Sequence, residues 1–285
     1  MSHPSASSVP LEWGALRRPR GTVLDNLREM VHEQFEYHEL LLTIARRDML
    51  LRYKQTVMGF GWAIFMPVLN TIIFSVIFMR VAPIDTGMPY PVFAFAGLLP
   101  WNFFASSLRF SVTSLTGNVA LVTKVYFPRE LFPFSAVLVS LVDFAVAFSV
   151  LIAMMVYYRM GVTWAALFLP VVLFVQVMFT AGIALLLSMA NLFYRDVKYL
   201  FEIVLSLWMF ATSVVYPIDR VGGRLAAVLK LNPMTPIIDG YRAVLLRGTL
   251  PDAHAFGYAT AVSALVLCVG WFAFHRSEFR FAENI

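Results

Sequence analysis

Residues 45–79 read ARRDMLLRYKQTVMGFGWAIFMPVLNTIIFSVIFM. Arg46, Arg47, Arg52 and Lys54 crowd the first ten positions, and no charge occurs from Val57 through Met79. At about 1.5 Å per residue the uncharged run is long enough for a hydrocarbon core about 30 Å thick. A basic collar therefore meets a membrane span. Because Lys and Arg near span ends are retained on the cytoplasmic side, the junction is expected in the cytoplasm, where it orients every later span.

Composition extends this reading to the whole chain. Of 285 residues, 60% are hydrophobic and 14% charged, and the mean hydropathy is +0.74. Ordinary soluble domains are nearer 45–50% apolar and about 25% charged. The expected fold is an all-α integral membrane protein, not a pair of globular domains. The net charge of +5 is what cytoplasmic span edges carry and calls for no nucleic acid. Cys268 is the single cysteine, so no intrachain disulfide forms, and its apolar neighbours point to a packing role.

Working outward in both directions gives six expected spans, at about 57–79, 92–112, 131–157, 164–190, 200–217 and 255–274. Residues 1–22 lack an apolar run of signal length and are rich in Ser and Pro, as an untranslocated cytoplasmic tail would be. From 23 to 56 the pattern is that of an amphipathic helix too charged to cross. Glu36, Thr43, Arg47 and Lys54 share a polar strip, while Tyr37, Leu40, Ile44 and Leu51 line another side. Such a helix lies along the membrane interface or under the spans. Arg46 falls on an otherwise apolar side, which suits a snorkelling or a partner-facing arginine equally.

Several polar residues interrupt the spans. Pro67 and Asn70 read as a kinked packing helix. Arg109 is expected near the inner end of span two or facing protein, because an arginine at the bilayer centre costs about 2.5–3.5 kcal/mol. Asp143 is an intramembrane carboxylate with no second acid or histidine nearby, so helix–helix attachment ranks above a proton relay. Glu202 is placed to pair with Lys198 four residues earlier. Between spans five and six, residues 218–252 hold two short helical patterns, the second with Thr235 as N-cap, Pro236 at the first helical position, Asp239 in the first turn and Gly248 after its end. This resembles a re-entrant or gate-like element. The cytoplasmic segments hold 14 Lys and Arg against seven outside, five of the seven within this one region.

Catalytic patterns are missing. No GxxxxGK[ST] sequence occurs, the GFG at 59–61 lacks a third glycine and a preceding strand, and the five histidines show no HExxH spacing. No catalytic or metal-ligating residue is expected in this chain, and any energy source comes from elsewhere.

The run RRDMLLRYKQTVMGFGWAIFMPVLN, then FAGLLPWNFF, NVALVTKVYFPRELFP, NLFYRDVKYL and LNPMTPIIDGYR resembles the transmembrane subunit of bacterial ABC exporters for O-antigen and related cell-surface polysaccharides. The motifs follow family order over about 40–281. The resemblance implies a six-span permease in the bacterial inner membrane, with both termini cytoplasmic. It implies a homodimer joined to two copies of a P-loop ATPase that binds ATP and Mg, the permease itself holding no cofactor. The implied substrate is undecaprenyl-diphosphate-linked polysaccharide, passing between the two protomers. In that family the helix before span one and the first cytoplasmic loop contact the ATPase. The residues assigned there are Arg46, Arg47, Arg52, Lys54, Lys124, Arg129 and Glu130. Two short outer helices, here 222–231 and 236–246, form a periplasmic gate.

Sugar rings stack on aromatic faces, which makes Trp62, Trp101, Phe103, Phe104, Tyr194 and Tyr216 channel or gate candidates beside Arg224 and Arg242. Packing between helices competes with that role, since aromatics make up 15% of the chain. An integral-membrane transferase using Asp143 or Glu202, and a permease for capsular polymer, teichoic polymer or a small lipid or drug, are the other readings.

Overall fold

The computed structural model describes residues 36–54, 56–81, 83–124, 127–217, 229–278 and 281. The expected tail at 1–22, most of the first gate helix and Arg224 lie outside the described residues. Within them the protein is helical throughout, with no strand. Among the described residues nine α-helices follow one another: α1 His38–Tyr53, α2 Gly61–Val76, α3 Tyr90–Val112, α4 Val119–Lys124, α5 Leu131–Tyr157, α6 Leu169–Phe193, α7 Val197–Phe210, α8 Met234–Arg242 and α9 Ala253–Ser277.

Among the described residues five helical segments are long and apolar enough to cross a membrane: Gly61–Val81, Tyr90–Val112, Leu131–Tyr157, Trp164–Phe193 and Ala253–Ser277. The segment expected as a fifth span at 200–217 holds the 14-residue α7 and then turns. At about 1.5 Å per residue α7 reaches about 21 Å, short of a full crossing.

Helix α3 is the axis of the bundle, packed by α2, α5, α6, α7 and α8. Pro91 enters its first turn and Pro100 sits inside it. Its aromatic cluster fixes its neighbours: Phe104 stacks on Phe179 with centroids 5.7 Å apart and meets Trp208 edge-on at 5.2 Å. Helices α6 and α9 cross at small residues. A Cβ on Gly182 would lie 2.7 Å from the backbone of Val266 and Leu267, so only glycine permits this approach. Cys268, read as a small packing residue, lies on the exposed side of α9.

Helix α2 behaves differently. Thr56 Oγ1 accepts from the Gly59 N–H at 3.0 Å, and Gly59 takes φ +52°, a turn that starts the helix just after the basic collar. Pro67 within α2 is buried against the bundle, and Thr71 Oγ1 donates back to the Pro67 carbonyl at 2.8 Å. The helix widens into a π turn over Ile77–Val81. Most of its remaining surface faces outward, including Phe65, Met66, Ile72 and Val76.

Candidate functional site

Polar residues gather at the two ends of this bundle. At the end that carries the basic collar, α1 lies against α5 and is fastened by charge. Arg52 forms an ion pair with Asp143, and Tyr53 donates its hydroxyl to the same carboxylate. The Arg52 guanidinium also sits 3.5 Å from the centre of the Phe110 ring. Burial, with Asp143 beside it, pushes the Tyr53 phenol well above its ordinary value. One turn earlier Asp48 accepts from Arg47 at 2.7 Å and from Ser135 at 3.0 Å, and Arg47 reaches Asn118 at 2.8 Å. Arg47 and Arg52 are thus engaged within the chain, whereas Arg46 and Lys54 are exposed.

The loop before α5 is tied to the end of α9. Glu130, 1% exposed, meets His275 Nδ1 at 3.0 Å. Arg129 donates its backbone N–H to Glu278 Oε1 at 3.0 Å and its guanidinium to the Glu278 carbonyl at 3.0 Å. Burial and the nearby Glu130 charge push the Glu278 carboxyl up to about 7, against the pull of its bonds to Arg129. Glu130, His275 and Glu278 bring three ligand-type atoms within 4.8 Å of one another. The bonds just given account for that proximity. Lys124 ends α4.

At the opposite end the chain breaks after α7, and the broken backbone is satisfied by side chains. Arg242 is 2% exposed. It donates to the carbonyls of Ser213 at 2.6 Å, Val214 at 2.5 Å and Phe93 at 3.3 Å, and lies 3.7 Å over the Phe93 ring. Tyr90 adds a bond to the Val215 carbonyl at 2.8 Å. Asn232 closes the same turn. Its amide donates to the Ala211 carbonyl at 2.9 Å and to Thr212 Oγ1 at 2.7 Å, while its oxygen accepts from Trp208 Nε1 and Met234 N, each at 3.1 Å. Beneath it, Tyr241 donates to Gln176 at 2.6 Å and Gln176 to the Pro100 carbonyl at 2.7 Å. The carbonyls of Ala211, Ser213, Val214 and Val215, freed by the break, are each met by one of these side chains. No room remains at Gly97, where a Cβ would strike the Val214 carbonyl and Arg242.

Two local expectations differ. Thr235 does not cap α8: Pro233 holds that position, and the Thr235 hydroxyl donates to the Leu229 carbonyl at 3.1 Å. Glu202 pairs with Arg109 at 3.1 Å, not with Lys198. A carboxylate from another helix reaches the Arg109 guanidinium, and Lys198 turns toward the Tyr199 ring at 4.8 Å.

The aromatic candidates separate into two groups. Trp101, Phe103 and Phe104 are buried in the core around α3. Trp62 and Tyr194 are exposed, and Tyr216 is half-buried with its hydroxyl on the Phe210 carbonyl at 2.6 Å. Asn232, Gln176, Tyr241 and Tyr90 carry much of the geometry and were not among the candidates. The one signal for Asn232 is its place in LNP, ahead of the proline that opens α8.

Two of the cavities among the described residues bear on these ends. One of about 360 Å³ is apolar, lies between α2, α3 and α5, and has Arg80 among its lining residues. The other, of about 270 Å³, is polar and lies at the collar end between the end of α3, the end of α6 and the start of α7.

Comparison with known proteins places this architecture. The pattern of the ABC-2 type transporter family matches residues 39–246. The O-antigen export system permease protein RfbA of Myxococcus xanthus is 31% identical over 90% of this chain and 99% of its own length. A Klebsiella pneumoniae protein of the same name is 31% identical over 86% of this chain and 94% of its own. The polysialic acid transport protein KpsM of Escherichia coli is 21% identical over 87% and 98%. With several helices built to cross a membrane and a match spanning most of the sequence, the chain belongs to the ABC-2 type transporter family of membrane proteins.

Proposed function

We propose that this chain is the permease subunit of an ATP-driven exporter that carries O-antigen, as a lipid-linked polysaccharide, across the bacterial inner membrane. The observation that carries the reading is the likeness to O-antigen export permeases over nearly their whole length. In this reading α7 with the turn after it forms the fifth of six spans, and the packed segment after it is a re-entrant gate. Backbone that leaves the helix within a membrane must be enclosed by protein, and the bonds from Arg242, Tyr90 and Asn232 do that here.

The outward face of α2 supports a homodimer with the polymer path between protomers. Only 11% of its most apolar window is buried, against 83% for the second span. Trp62 is exposed on that helix and Tyr194 at the foot of the bundle, which suits contact with sugar. Two copies of a P-loop ATPase, binding ATP and Mg, dock on the collar end. Exposed Arg46 and Lys54 meet the ATPase, while Arg47, Arg52, Arg129 and Glu130 transmit its movement through their bonds to α5 and α9. Both termini are cytoplasmic. Transport of a capsular polymer is the second reading, favoured by the likeness to KpsM.

Deleting the gene is expected to trap lipid-linked polymer inside the cell and strip the surface of O-antigen. Affinity purification of the chain, co-expressed with its neighbouring genes, is expected to retain a P-loop ATPase. Normal surface polysaccharide in the deletion strain overturns the reading.

A further inference from the structure

We infer that the polar cavity between the end of α3 and the start of α7 is a binding site for the glycosyl diphosphate headgroup of the lipid-linked substrate. This rests on the exporter reading and adds a place and a chemistry to it. The cavity is lined by Thr113, Thr116, Asn191, Arg195 and Lys198, with Val119 and Leu192 as its apolar members. Its volume of about 270 Å³ lies at the lower edge of small-molecule sites, so it fits a headgroup and not a polymer.

Two features select the ligand. The first is uncompensated positive charge. Arg195 and Lys198 form no ion pair among the described residues, although Asp196 lies between them in sequence and Glu202 one turn on. Glu202 is held by Arg109 at 3.1 Å. Two cations lining one cavity favour a phosphate or diphosphate, which each can meet with a charge-assisted hydrogen bond once the Lys198 amine leaves the Tyr199 ring.

The second is an acceptor. Asn191 is 2% exposed, and its amide nitrogen is fixed on the Val112 carbonyl at 2.8 Å. Its Oδ1 is buried with no hydrogen-bond partner. A buried acceptor left unmade costs about 1–3 kcal/mol, and a phosphate cannot relieve it because phosphate oxygens also accept. A hydroxyl can. Cations for a phosphate and a carbonyl for a hydroxyl, beside the threonines 113 and 116, describe a phosphorylated sugar. Position agrees with this chemistry. The cavity lies at the end of the bundle that bears the basic collar, where a lipid carrier loaded in the cytoplasm first meets the protein in the orientation proposed above.

The test uses the full-length chain in nanodiscs of zwitterionic lipid and a farnesyl-diphosphate-linked N-acetylglucosamine probe, with affinity read by calorimetry. Saturable binding is expected, weakened at least tenfold in Arg195→Gln/Lys198→Gln and by added salt. The swap Arg195→Lys/Lys198→Arg is expected to stay within about threefold of wild type. Farnesyl alcohol and added phosphatidylglycerol are expected not to displace the probe, which separates the headgroup from the prenyl chain and from ordinary anionic lipid. Absence of saturable binding, equal binding by the glutamine variant, or displacement by phosphatidylglycerol overturns the site. None of those results touches the exporter reading, which stands or falls on polymer trapping in the deletion strain.

Discussion

At the collar end of the bundle three arginines are held by carboxylates; at the far end the buried Arg242 is held by backbone carbonyls. Arg52 has Asp143, Arg129 has Glu278 and Arg109 has Glu202. Arg242 has the carbonyls of Ser213, Val214 and Phe93 and an aromatic face. A pair of charges can be lost together with modest effect, because each removes the other's reason to be buried. A cation that satisfies several carbonyls has no such counterpart, and its loss strands all of them. The collar end is built of exchangeable fastenings and the far end of one that is not.

The sharpest way to break this contrast is Arg242→Met. It keeps much of the volume and leaves the three carbonyls unmet, with an expected loss of about 3–5 kcal/mol, read as the largest drop in thermal midpoint in nanodiscs. Arg242→Lys keeps the charge without the planar fork and is expected to recover only part of it. Next comes the Arg52–Asp143 pair, whose side chains are 13% and 18% exposed. Asp143→Ala is expected to destabilise by about 1–3 kcal/mol, and the double variant Arg52→Leu/Asp143→Leu to be more stable than Asp143→Ala alone. If the double variant is no better, the collar end is as unforgiving as the far end.

A smaller effect is expected from acid titration. Glu278 is held up to about 7 in the folded chain, against an ordinary carboxyl value near 4.5. The folded state therefore keeps this proton where the unfolded state has lost it. Its contribution is complete below about 4.5 and fades as pH rises through about 7. Glu278→Gln is expected to flatten that part of the stability profile, to change little at pH 5 and to stabilise at pH 8. The smallest change is expected at Arg109–Glu202, where both side chains are about half exposed. Charge reversal of the two together should shift stability by less than about 0.5 kcal/mol, as exposed pairs do.

The sequence made the membrane class and the long spans legible, because uncharged runs of that length have one use. Asp143 was legible as an attachment point; its partner Arg52, 91 positions away, was not, since nothing local links them. For the same reason Arg47 and Arg52 read as open docking charges although they are bound to α5 and to the 113–118 turn. Helices that are apolar all round give no sign of which side is core. Hence Trp101, Phe103 and Phe104 could not be told from Trp62 and Tyr194 until α3 was seen at the centre. The break after α7 was obscured by Pro217, which reads as a span end. The turn is made earlier, and the residue that secures it, Asn232, comes after the proline.

The glycine crossing of α6 and α9 also decides where the molecule can change shape. Two helices in contact backbone to backbone at Gly182 and Gly270 cannot slide without collision, because no side chain between them can yield. That pair forms a stiff plank running the length of the bundle. Helix α2, with few neighbours and a proline and a π turn along it, is the compliant part. A movement passed to α9 at the collar end through Glu130 and Arg129 therefore carries α6 with it as one body, and the bending falls to α2.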